Sequence, residues 1–273
     1  MAGEEVRRME RNPSIEAEVQ EEEQEVDWNP SIGVETLRIP PGVQTLEGFR
    51  RWSWSESFPE HGRIDFLAGE LEIDLSPENL FKHGTVKTAI AARLHNAVAD
   101  RNRGAVFVDC TRVVSVHADL SVEPDVLVVL WDSLATGRVL RVPAASGEPD
   151  SYIEFEGGPD LVVEVISDGS QGKDRRRLPP LYAKAGVPEL WLVDACGKRG
   201  KAPDLGIHHL GPTGYVLSPA DTKGWCESRL LGRRCHLRRK AVRDLGFTYE
   251  LELHPPLSEP RRRRASGTPG RRL

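Results

Sequence analysis

Hydrophobicity along this chain is concentrated in two short runs. Residues 126–131 read Val-Leu-Val-Val-Leu-Trp, apolar throughout, and residues 161–166 read Leu-Val-Val-Glu-Val-Ile, apolar except for one carboxylate. Unbroken runs of this length mark strands covered on both faces, the character of central strands in a layered α/β domain. Around them the period changes. Residues 63–74 alternate apolar and polar about Ala68-Gly69, which predicts a β-hairpin. Val86, Ile90, Leu94 and Val98 fall four apart beside Ala89 and Ala97, which predicts a helix entered near Ser76-Pro77-Glu78 with Pro77 in its first turn. Valine-rich residues 105–116 and 121–130 predict three strands, broken at Asp109-Cys-Thr and His117-Ala-Asp. Residues 137–158, rich in Gly, Pro, Ser and Glu, predict a long surface loop. A short helix then starts at Pro179 or Pro180 and stops at Gly186, followed by a buried strand over 189–194 and outer antiparallel strands over 206–217 and 249–253. Together these elements predict an α/β fold, a mixed β-sheet flanked by helices with added antiparallel strands.

Charge and composition set the limits of that domain. The 273 residues carry a net charge of −5, but residues 1–27 hold ten acids against three bases and residues 231–273 hold twelve bases against four acids. Glu-rich residues 1–41 are expected to be a largely disordered tail, residues 42–253 the folded domain, and Arg/Pro-rich residues 254–273 a second disordered tail. The longest apolar run falls far short of the ~20 residues a membrane-spanning helix needs. The N-terminus has no basic start followed by an apolar segment, so a cytoplasmic location is expected. Cys110, Cys196, Cys226 and Cys235 lack the close pairing of a structural zinc site and read as reduced thiols.

Two carboxylates occupy the most apolar strands: Asp125 at the start of one and Glu164 within the other. Burying either charge alone is costly. Two acids on neighbouring strands would cage Mg²⁺ or Mn²⁺, hard cations that take oxygen ligands and also bind phosphate. Asp125, beside Pro124, also reads as a strand-entry cap, and Glu164 as half of a buried ion pair with a nearby arginine.

The blocks Gly69-Glu70-Leu with Ser76-Pro77, then His83, Pro124-Asp125-Val, 160–167 (Asp-Leu-Val-Val-Glu-Val-Ile-Ser) and 182–194 (Tyr-Ala-Lys-Ala-Gly-Val-Pro-Glu-Leu-Trp-Leu-Val-Asp) fall in an order that is specific when taken together. In these blocks the sequence resembles the Uma-type restriction endonuclease family, a branch of the PD-(D/E)XK nuclease superfamily, over most of residues 45–253. The resemblance implies a restriction-endonuclease-like core and a divalent-metal-dependent endonuclease that hydrolyses DNA phosphodiester bonds. Asp125 and Glu164 would hold the metal, with a carbonyl after Glu164, on Val165 or Ile166, as a further ligand. Glu70 would be an extra acid on the metal side, and His83 a partner for phosphate or for Asp125. A homodimer would let both strands be cut.

The resemblance also implies a lysine two residues after the Glu or one turn before the Tyr matching Tyr182. Here those places hold Ile166 and Leu178. Lys173 is the expected substitute, with Arg177 second, and the charge run 173–177 reads equally as a solvated segment, with Asp174 as an N-cap. Without a cation in the site, the alternative is a catalytically degenerate relative that binds nucleic acid or a partner without cleaving. The basic residues of 229–243 and the 261–264 arginines could follow a phosphate backbone, the former partly as structural strand.

Overall fold

The hairpin that opens the domain shows how local rules place its elements. Strands β1 (Arg63–Leu67) and β2 (Glu70–Asp74) pair antiparallel with Leu67 opposite Glu70, which leaves a two-residue turn at Ala68 and Gly69. Both turn residues have positive φ, +50° and +88°, the conformation that matches the twist of flanking strands. The computed structural model describes residues 37–167, 169–195, 203–243 and 246–256. Most of both expected tails, residues 1–36 and 257–273, lies outside the described residues, as does Cys196.

Helix α1 (Leu46–Ser53) precedes the hairpin, its Thr45 hydroxyl capping the Gly48 amide at 3.1 Å. After the hairpin come α2 (Thr85–Val98), β3 (Gly104–Val108), β4 (Arg112–Ser115), β5 (Leu120–Val122), β6 (Val126–Leu130) and the short α3 (Trp131–Ala135). Next are β7 (Leu140–Pro143), β8 (Tyr152–Glu156), β9 (Leu161–Ile166), α4 (Leu178–Ala185) and β10 (Glu189–Asp194). The chain closes with β11 (Asp204–Gly211), β12 (Gly214–Leu217), β13 (Cys226–Ser228), β14 (Arg233–Val242) and β15 (Gly246–His254). They form a six-stranded sheet ordered β2-β1-β5-β4-β8-β7, a second ordered β12-β11-β10-β9-β6-β3, and a three-stranded sheet β13-β14-β15.

The second sheet is mixed: β9 and β10 run parallel through the α4 crossover, and its other pairs are antiparallel. Its two faces feed different cores, which explains the unbroken apolar runs. Val126, Val128, Leu161 and Val163 pack with Val86, Ile90 and Leu94 of α2 and with Leu237 and Leu251 of the small sheet. Leu127, Val129 and Val162 pack with Leu178 and Tyr182 of α4 and with Val113 and Leu120 of the first sheet. The expected mixed α/β fold with added antiparallel strands is the fold observed.

Four local expectations are corrected. The 137–158 loop contains β7 and β8, whose Gly and Pro residues fall mostly in the turns around them. Residues 105–130 form four strands, because Pro124 separates β5 in one sheet from β6 in the other. The second helix is entered through a π-helical turn, Leu80–Gly84, capped by the Asn79 side chain, which accepts from the Phe81 and Lys82 amides at 3.1 and 2.9 Å. Likewise α4 continues a π-helical turn, Lys173–Arg177, with Pro179 and Pro180 in its opening turn where a missing N–H costs little. Among the described residues, no helix is long and apolar enough to cross a membrane.

Candidate active-site cleft

Strand register brings the two strand carboxylates together. In the β6–β9 pair Val126 faces Val163, Leu127 faces Val162 and Val128 faces Leu161. Continuing that register by one residue sets Asp125 opposite Glu164, and residues directly opposite share a sheet face. Both are buried.

Asp125 is held from three sides. Its Oδ1 accepts from Arg63 Nη2 of β1 at 2.9 Å, its Oδ2 accepts from the Val165 amide at 2.6 Å, and His83 Nε2 lies 3.3 Å from Oδ2. Burial opposes the charge, but the His83 bond, the Arg63 guanidinium and the Val165 N–H outweigh it and hold this carboxyl well below the usual range. Glu164 is the contrast. It accepts from the Tyr182 hydroxyl at 2.5 Å, while burial and then the charges of Asp125 and Asp174 push it well above an ordinary glutamate. Asp174, buried and bonded to Ser170, is pushed up to about 6, chiefly by burial.

Lys173, in the turn leading to α4, places Nζ 3.1 Å from Asp65 Oδ2, both side chains being buried. Burial weakens the ammonium, but Asp65, Glu164 and Asp174 together hold its pKa above the ordinary value. His83 is raised too, the Asp125 bond and charge prevailing over burial. Its Nδ1 is 3.1 Å from Glu78 Oε2, and donor atoms of Glu78, His83 and Asp125 lie within 4.8 Å of one another. A cleft of about 560 Å³ opens over this cluster, with Arg63, Asp125, His83, Lys173 and Asp174 in its wall.

Of the residues singled out from sequence, Asp125, Val165, His83 and Lys173 line this cleft, and Glu164 lies buried beside Asp125 without forming part of the wall. Val165 donates its amide to Asp125. Glu70 does not join them: it is exposed on β2 and paired with Arg177 at 2.7 Å, and the same arginine also binds Glu72. Arg177 is thereby turned toward the hairpin. Arg63, Asp65 and the Tyr182 hydroxyl are site residues that sequence reasoning missed. In the sequence Asp65 passes for a solvent-facing polar position of an alternating strand, and only its burial beside Ile64 and Phe66 sets it apart.

Four buried or nearly buried carboxylates, of Asp65, Asp125, Glu164 and Asp174, thus face two permanent cations, Arg63 and Lys173. Without a further cation the excess is relieved by protons, as the raised Glu164 and Asp174 indicate. The carboxylate donors are oxygens, to which His83 adds a ring nitrogen, and a divalent cation that takes oxygen ligands, such as Mg²⁺ or Mn²⁺, fits the carboxylates and the charge deficit.

A mixed sheet carrying paired acids where two strands meet, with a lysine beside them, defines an α/β protein of nuclease-like design. The chain belongs to the Uma2 family, described as "Putative restriction endonuclease", whose model matches residues 46–229. Among curated proteins, none matches the sequence. Among solved structures, it is similar to a chain from Anabaena variabilis ATCC 29413 described as "a putative nuclease belonging to DUF820". That likeness has 17% identity and a TM-score of 0.49, over 68% of this chain and 90% of the other.

Proposed function

We infer that the protein is an endonuclease that hydrolyses DNA phosphodiester bonds with the help of Mg²⁺ or Mn²⁺. The observation that carries this reading is the juxtaposition of Asp125 and Glu164 across β6 and β9 with Lys173 beside them. Asp125 and Glu164 would hold the metal, which when bound supplies Lewis acidity toward a phosphoryl oxygen and toward water. Asp125 is presented ionised because Arg63, His83 and the Val165 amide fix both of its oxygens. Tyr182 fixes one oxygen of Glu164, so that carboxylate is oriented before any ligand arrives. Lys173, kept charged by three acids, is positioned to meet negative charge growing on the phosphoryl oxygens, the role expected of the lysine missing from positions 166 and 178. His83 positions Asp125 and is close enough to share the wall with a bound phosphate.

Plasmid nicking with Mg²⁺ or Mn²⁺ tests the reading. Asp125→Asn and Glu164→Gln are expected to fall to background, and Lys173→Met to lose about 10²–10³-fold. Undiminished nicking by both acid variants would refute it. Metal binding without nicking by the native chain would leave the binding-only reading in its place.

A further inference from the structure

Away from the cleft, where α2 ends against β14 and β15, a cavity of about 280 Å³ is lined by Arg93, Arg101 and Arg233 together with Asn96, Leu231 and Leu253. No carboxylate lines it. Among the described residues none of the three arginines forms an ion pair, although arginines elsewhere on the domain, such as Arg51, Arg138, Arg175 and Arg238, are paired with acids. The nearest acid in sequence, Asp100, faces His95 at 3.7 Å. Arg93 donates its Nε to the Leu251 carbonyl at 3.0 Å, which anchors the guanidinium. Three like charges converging on one concavity repel one another, and two of them, Arg93 and Arg101, come from outside the basic C-terminal segment. A planar guanidinium fork matches the oxygens of a phosphate, and Asn96 adds an uncharged donor.

We propose that this cavity is a phosphate anchor for the backbone of duplex DNA, separate from the site of hydrolysis. The inference rests on the nuclease reading for the identity of the anion. Arg93 follows His83 by ten residues, about 15 Å along a helix, and Val98 at the end of α2 follows by fifteen, about 22 Å. The cavity and the cleft are thus set apart by about 15–22 Å of helix. The anchor therefore governs affinity and its salt dependence, and leaves the chemistry on a small phosphodiester untouched.

The test is fluorescence anisotropy on a duplex of about 20 base pairs, without added divalent metal, across a range of salt concentrations. For R93A/R101A/R233A the slope of log affinity against log salt is expected to shrink by about 0.9, the share of the one anchored phosphate. Arg101→Glu, an exposed single change that spares the Arg93 bond to Leu251, should weaken binding at low salt, and Arg51→Ala should leave it unchanged. Cleavage of a small aryl phosphodiester with Mn²⁺ should be equal in native and variant proteins. Unchanged duplex binding in both R93A/R101A/R233A and Arg101→Glu would overturn the anchor even if the protein cleaves DNA. Tight binding of inorganic phosphate that does not compete with duplex would overturn it in favour of a small-anion site. Arginine-dependent duplex binding by a protein that cleaves neither substrate would uphold the anchor and remove the nuclease reading.

Discussion

Two glutamates sit buried on adjacent parallel strands and are treated in opposite ways. Glu189, at the start of β10, receives four hydrogen bonds: from Trp191 Nε1 at 2.7 Å, Ser228 Oγ at 2.6 Å, and the Arg229 and Leu230 amides at 2.8 and 3.1 Å. It fastens the turn after β13 to the main sheet. Glu164, three positions from the matching end of β9, has the Tyr182 hydroxyl and is crowded by Asp125 and Asp174. A buried carboxylate whose lone pairs are filled holds a structure together. One kept short of donors and surrounded by its own kind is held ready for something the protein does not itself contain.

The same substitution separates them. Glu189→Gln turns an amide N–H₂ toward a ring of donors, and unfolding titrations should show a loss of about 3–5 kcal/mol, near 2–4 °C in Tm per kcal/mol. Glu164→Gln keeps an acceptor for Tyr182 and removes a carboxyl whose ionisation burial opposes, so Tm should be unchanged or higher while nicking is abolished. A large drop in Tm at position 164 would erase the distinction. Smaller effects sharpen it. Tyr182→Phe strips Glu164 of that donor and should cost about 1–3 kcal/mol. Ser228→Ala removes one of four bonds to Glu189 and should cost about 1 kcal/mol. The smallest effect concerns His209, whose Nε2 lies 3.4 Å from Glu189. Burial lowers its pKa against the pull of Glu189, so the unfolded chain binds more protons and stability falls as pH drops below the unfolded value of about 6.5. His209→Gln should flatten the fall in Tm between about pH 7 and pH 5.

These residues also show what sequence can carry. Glu164 announces itself, a charge inside an apolar hexapeptide whose neighbours face two cores. Asp125 and Glu189 do not, because each follows a proline at the head of a strand and looks the same as a cap until its partners across the sheet are known. The partners of Asp125 come from 62 residues earlier and 40 residues later, and those of Glu189 from 39 to 41 residues later. The long apolar strands were legible because burial on both faces leaves no polar positions. Strand β8 was not, because Glu154 is buried by pairing with Arg50 and Trp54, so a core-facing position reads as a loop acid. Helix α1 is equally hidden: in eight residues only Leu46, Gly48, Phe49 and Trp52 turn inward. Lys173 was picked by its chemistry, but the π-helical turn and Asp65, 108 residues away, are what aim it.

That span has a meaning in time as well as in space. Asp125 and Glu164 approach only when β6 closes on β9, and Lys173 reaches Asp65 only when both large sheets are assembled. Repulsion between the acids is then absent from the unfolded chain and arises only as these strands pair, which we expect to follow the folding barrier. Relieving it in Glu164→Gln should leave the folding arm of a chevron nearly unmoved and lower the unfolding arm. On that expectation the crowded carboxylates shorten the life of the folded domain without changing how quickly it forms.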